Sequence, residues 1–78
     1  MKNNLKSIRC AFGISIAELS RMTGINRVTL SQYENGKKNL KKARVDTLMK
    51  LADAFGIDNF RLFFLKLPPD FDFPQYFN

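Results

Sequence analysis

The sequence predicts a small all-α domain of five helices, followed by an aromatic C-terminal tail. Three observations carry that expectation. Between Ser15 and Gly36, two short helical stretches are each opened by a capping residue, Ser15 and Asn26, and each closed by a glycine, Gly24 and Gly36. On either side of them, apolar residues recur at helical spacing: Leu5, Ile8 and Phe12 before, and Leu48, Leu51, Ala52 and Phe55 after. Finally, Pro68-Pro69 ends the last helical stretch and divides residues 1–66 from a tail at 67–78.

Taken in order, the first helix is expected over Asn4 to Phe12, with Lys2, Lys6 and Arg9 off the apolar stripe and facing water or phosphate. Cys10 reads as a small semi-buried filler, and Gly13 stops the helix. The second helix spans Ile16 to Thr23, with Ile14, Leu19 and Met22 turned inward. Ser15 caps it, and Glu18 three residues later completes a capping box. Gly24 supplies the backbone freedom that a sharp helix-to-helix turn needs, and Ile25 then enters the core. The third helix runs from Arg27 to Asn35, with Leu30 and Tyr33 toward the core. A basic loop follows, with Leu40 as its apolar pin.

The fourth helix is expected over Val45 to Phe55, burying Val45, Leu48, Met49, Leu51, Ala52 and Phe55, with Gly56 as its stop. Asp58 is the expected cap of a fifth helix, in which Phe60, Leu62, Phe63, Phe64 and Leu65 are apolar almost all round. A surface of that kind on so small a domain asks for cover, and a partner subunit is the simplest one. In the tail, Phe71, Phe73, Tyr76 and Phe77 are too apolar for a typical disordered segment. Their spacing suits an extended strip laid in a groove of the same subunit, of a dimer mate or of another protein.

Composition narrows the function classes. Seventy-eight residues make one domain, with a core near the lower limit for independent stability. Eight Phe and no Trp leave the packing to Phe, Leu, Ile and Met. A single Cys allows no internal disulfide, and the absence of His leaves no zinc set, so no metal or cofactor is expected. No apolar run is long enough to cross a membrane and no signal peptide is visible, which points to a cytoplasmic protein. An enzyme is not expected either. There is no Gly-rich phosphate loop and no nucleophile with an evident base, and Glu18 and Glu34 have simpler roles as a capping partner and a helix-end residue.

The net charge of +6 is unevenly placed. Residues 1–44 hold ten Lys/Arg against two acidic groups, whereas residues 45–78 hold three against five. A basic half built on two helices and a tight turn has the electrostatics of a phosphate-backbone binder.

The residues Leu19, Gly24, Ile25, Leu30 and the E-N-G-K run at Glu34 to Lys37, continued by L-M-K-L-A-D-A-F-G-I at Leu48 to Ile57, resemble the helix-turn-helix of the phage repressor/Cro-like (XRE) family. The resemblance implies a lambda-repressor-like fold and a sequence-specific DNA-binding regulator. Such a protein acts as a dimeric repressor, or as an activator, on a pseudo-palindromic site in double-stranded DNA. The third helix is then the recognition helix. On its open face, Arg27 can bond guanine O6/N7 or a phosphate, Gln32 can pair with adenine N6/N7, and Val28 or the Thr29 methyl can pack on a thymine methyl, with Ser31 a further contact.

Backbone contacts are expected from Asn26, Asn35, Lys37 and Lys38, and along the strand from Lys41, Lys42 and Arg44. Members of the family usually carry Gln at the position of Ile16, where its side chain bonds a phosphate. Ile16 can offer only the N–H groups of a helix start. The family also reaches its next helix three or four residues sooner, often through a proline that is missing here. Dimer or partner contacts fall to Phe60, Phe63, Phe64, Phe71, Phe73, Tyr76 and Phe77. A second reading from a different class is a protein-interaction module, antitoxin- or anti-repressor-like, whose aromatic tail docks a partner protein.

Overall fold

The computed structural model describes residues 3–65. Four α-helices form: α1 (Leu5–Ala11), α2 (Ile16–Thr23), α3 (Arg27–Asn35) and α4 (Val45–Ala54). Two 3₁₀ turns, Leu40–Lys42 and Phe60–Phe64, complete the regular structure, and the described residues hold no strand. The expected five-helix count is therefore corrected to four, with the fifth segment a short 3₁₀ turn. Phe71, Phe73, Tyr76, Phe77 and the whole 67–78 unit lie outside the described residues, as does Lys2.

The helices converge on a core of Leu5, Ile8, Leu19, Leu30, Leu40, Leu48, Leu51, Ala52, Phe55, Ile57, Leu62 and Phe63. The central helix pair, α2 and α3, packs on α1 and α4, and α4 also carries the second 3₁₀ turn. Aromatic contacts run through one side of the core: Phe12 lies 5.6 Å from Phe55, and Phe55 lies 6.5 Å from Phe63 in an edge-on arrangement. Ring pairs at these separations add modestly to the area they bury.

Several inward assignments change once the helices pack. Met22 is half exposed, because Thr23 takes the inward position one turn after Leu19. The Thr23 hydroxyl pays no burial penalty there, since it donates to the Leu19 carbonyl at 2.8 Å and accepts from the Ile25 N–H at 3.1 Å. Val45 and Met49 are also exposed. The buried stripe of α4 runs through Leu48, Leu51, Ala52 and Phe55, and Met49 stands about 100° round the helix from Leu48. Cys10 is exposed rather than semi-buried, on the far side of α1 from Ile8.

The C-terminal segment differs from the expectation in its cap and in its backbone bonding. Asn59, not Asp58, caps the 3₁₀ turn, its Oδ1 accepting the Arg61 N–H at 2.9 Å. The carbonyls at the end of this segment, which a helix C-terminus leaves without an intrahelical donor, are satisfied by Asn4. Its N–H donates to Phe63 at 2.7 Å, and its side-chain amide donates to Leu62 at 2.8 Å and to Leu65. This staple joins the two ends of the domain. It seats Phe63 fully inside its own chain, so that side chain is core and is not presented to a second subunit. Phe60 and Phe64 are half-buried against the same core.

Candidate nucleic-acid interface

Two helices and the turn between them set the geometry of the interface, and polar side chains fix all three. The Ser15 Oγ accepts the Glu18 N–H at 3.1 Å and opens α2. Among the described residues the Glu18 carboxylate makes no return bond, so only half of the capping box forms. Gly24 closes α2 at φ +75°, a left-handed conformation that a side chain would strain. Two hydroxyls then hold the peptide groups of Ile25: Ser20 donates to its carbonyl at 2.6 Å, and Thr23 accepts from its N–H. Neither hydroxyl stood out in the sequence, because Ser and Thr inside a helix usually read as surface residues. Asn26 starts α3, its Oδ1 accepting the Val28 N–H at 2.7 Å.

Leu30 is buried and Tyr33 half-buried, which turns the opposite face of α3 outward. Arg27 and Val28 are exposed at the N-terminal end of that face, and Thr29, Ser31 and Gln32 are half-buried along it. Val28 is 65% exposed, an isolated apolar side chain on a polar surface. Ser31 is engaged within the helix, its Oγ accepting the Asn35 side-chain amide at 3.3 Å. A shallow hollow between the helices is lined by Ala17, Ser20 and Arg21 on one side and by Asn26, Arg27 and Val28 on the other. Ile16 packs partly against the core, so only its backbone stays at the helix start to face an anion.

The cations divide into two kinds. Arg9 does not face water or phosphate. Its Nε lies 2.7 Å from one Glu34 oxygen, a second guanidinium nitrogen lies 3.1 Å from the other, and Nη1 donates to the Ile14 carbonyl at 2.9 Å. The two side chains are only 15% and 4% exposed. The hydrogen bonds to Glu34 hold the Arg9 guanidinium above its ordinary range, against the opposing effect of burial. The sequence carries no sign of this pair, because residues 25 apart give no periodic signal.

By contrast, Arg27, Lys37, Lys38 and Lys42 are exposed and have no carboxylate partner among the described residues. Arg44 stands 3.6 Å from Asp46 in an open surface pair. The loop that bears these lysines is ordered by its own bonds. Gly36 ends α3 at φ +79°, the Lys38 N–H donates to the Gln32 carbonyl at 3.1 Å, and Leu40 is buried as expected.

A helix-turn-helix family model matches residues 5–58, well over half of the chain. The chain belongs to the Cro/C1-type helix-turn-helix (XRE) family. Members of this family are DNA-binding regulators, and the pair α2–α3 is its helix-turn-helix. No curated protein and no solved structure matches the chain. Among the described residues of this helix-turn-helix domain, no helix is long and apolar enough to cross a membrane, and no group of His, Cys, Asp and Glu is placed to hold a metal ion.

Proposed function

We propose that the protein is a sequence-specific transcriptional regulator that binds a pseudo-palindromic operator as a homodimer and represses by occupying it. The observation that carries this reading is the outward face of α3. Arg27 and Val28 stand free at its N-terminal end, Gln32 lies on the same side, and the basic loop follows directly. That face offers a cation, an amide and two methyl-bearing side chains, a set that can discriminate base edges in the major groove. Asn26, Asn35, Lys37, Lys38 and Lys42, with the N–H groups at Ile16, surround it with phosphate-directed donors. A second subunit finds apolar surface at the C-terminal turn, where Phe60 and Phe64 are half-buried and Leu65 is 52% exposed. Repression of this kind needs no chemistry.

The test is selection of duplexes from a randomised pool, followed by affinity measurements over a salt series. The wild type is expected to enrich an inverted repeat with half-site centres about 34 Å apart and to lose affinity steeply with salt. Gln32→Ala should relax the preference at one base pair per half-site by about 1–3 kcal/mol and keep the salt slope. Equal binding to every duplex by the wild type would remove the base-reading role of α3.

A further inference from the structure

The loop from Lys37 to Arg44 carries five cations, and its path is fastened at three points. The first is the bond from the Lys38 N–H to the Gln32 carbonyl. The second is Leu40, 1% exposed in the core, with Asn39 Oδ1 accepting the Lys41 N–H at 3.0 Å to open the first 3₁₀ turn. The third is an aromatic contact, the Lys41 Nζ standing 5.8 Å from the centre of the Phe64 ring. A cation within about 6 Å of a ring face is attracted by the ring quadrupole.

Phe64 is itself held from the other end of the chain. It lies in the second 3₁₀ turn, where the Leu62 and Phe63 carbonyls, with that of Leu65 just after the turn, accept bonds from Asn4. Lys41 nevertheless remains exposed, so its ammonium keeps an open side. We propose that Phe64 is a positioning residue for DNA-backbone binding, its ring holding the Lys41 ammonium on the loop so that the C-terminal turn sets one phosphate contact. This rests on the DNA-binding reading above. A free lysine gives up the rotamer freedom of a four-carbon stem when it meets a phosphate. A lysine already laid on a ring gives up less, and the ring leaves its charge intact.

Nuclear magnetic resonance of the full chain tests the contact, with and without a duplex. The Lys41 side-chain methylene protons should be shifted upfield by the ring in the wild type and in Phe64→Tyr, and should return to ordinary positions in Phe64→Leu. In the wild type the shift should persist when DNA is added. Its loss on binding would mean that Lys41 leaves the ring to reach phosphate, and would overturn the proposal without any variant.

Affinities over a salt series give the second readout. Phe64→Leu should weaken binding about three-fold, a loss of cation–π magnitude. Lys41→Met should flatten the salt slope by about one. The double variant should be no weaker than Lys41→Met alone, and Phe64→Tyr should bind like the wild type. Equal weakening by Phe64→Leu with and without Lys41 would assign Phe64 to packing alone and overturn the proposal. Salt-independent or absent DNA binding by the wild type would instead sink the DNA reading, and this inference with it.

Discussion

Arg9 and Arg27 are the same residue type, both on helices of the basic half, yet they are used in opposite ways. Arg9 is folded onto Glu34 and the Ile14 carbonyl, with both charged side chains largely out of water. Arg27 stands exposed at the start of α3 with no carboxylate near it among the described residues. Net charge counts the two equally, but only the second can meet a phosphate or a base. A basic surface is therefore a matter of which cations the fold leaves unpaired. Among the described residues, Arg27, Lys37, Lys38 and Lys42 belong to that set and lie on or just after α3.

The largest effect that would test this contrast is on the Arg9 side. Removing one partner of a largely buried ion pair strands the other charge, at a cost of about 3–5 kcal/mol. For a domain whose total stability is on the order of 5–15 kcal/mol, Glu34→Ala should bring unfolding close to working temperature. Replacing both groups by apolar residues, Arg9→Met with Glu34→Leu, should recover most of the loss in a urea or thermal unfolding experiment. The pair's contribution does not titrate through Arg9 near neutral pH. Its guanidinium is raised above an already high value, so the stability linked to the Arg9 proton is fully present below the ordinary arginine range and is lost as pH rises above it. A Glu34→Ala variant as stable as the wild type would erase the distinction drawn between the two arginines.

A smaller effect is expected on the Arg27 side, and it should appear in a different measurement. Arg27→Ala removes an exposed side chain with no carboxylate partner among the described residues, so stability should move by no more than about 0.5 kcal/mol. Binding should fall, and the form of the loss separates two roles. Loss of selectivity at one base pair, worth about 1–3 kcal/mol, marks a guanine contact. A uniform loss over all duplexes, with a flatter salt slope, marks a phosphate contact. No change in either quantity would show that exposure alone does not mark a DNA-facing cation.

The same contrast explains what the sequence made legible. The span from Ser15 to Gly36 could be placed to the residue because its signals are local: a cap at each start, a glycine at each stop, and an apolar pattern between. The staple that ties the C-terminal turn to Asn4 could not be placed, since its bonds span about 60 residues. Arg9–Glu34 was hidden for the same reason, as a long-range pair between a residue read as facing water or phosphate and one read as a helix-end residue. Met22 and Thr23 were exchanged because a one-residue rotation decides which of them faces inward, and a threonine hydroxyl that bonds its own helix enters a core more readily than composition suggests. On α3 the pattern placed Leu30 inward and left Arg27 and Val28 exposed, but it did not show that Glu34 is drawn inward by Arg9.

The smallest expected effect gives the cleanest measure of the exposed set, and it falls at Lys38. The structural bond of this residue is made by its backbone, the N–H donating to the Gln32 carbonyl, and its exposed side chain has no carboxylate partner among the described residues. Lys38→Ala therefore removes a charge and leaves the loop anchor in place. Unfolding should be unchanged, and selectivity among duplexes should be unchanged as well. Only the dependence of affinity on salt should move, its log–log slope flattening by about one, because one fewer counterion is released from the phosphates. A flattened slope at Lys38 and none at a cation already paired within the fold would place the division between structural and DNA-facing charge where the hydrogen bonds put it.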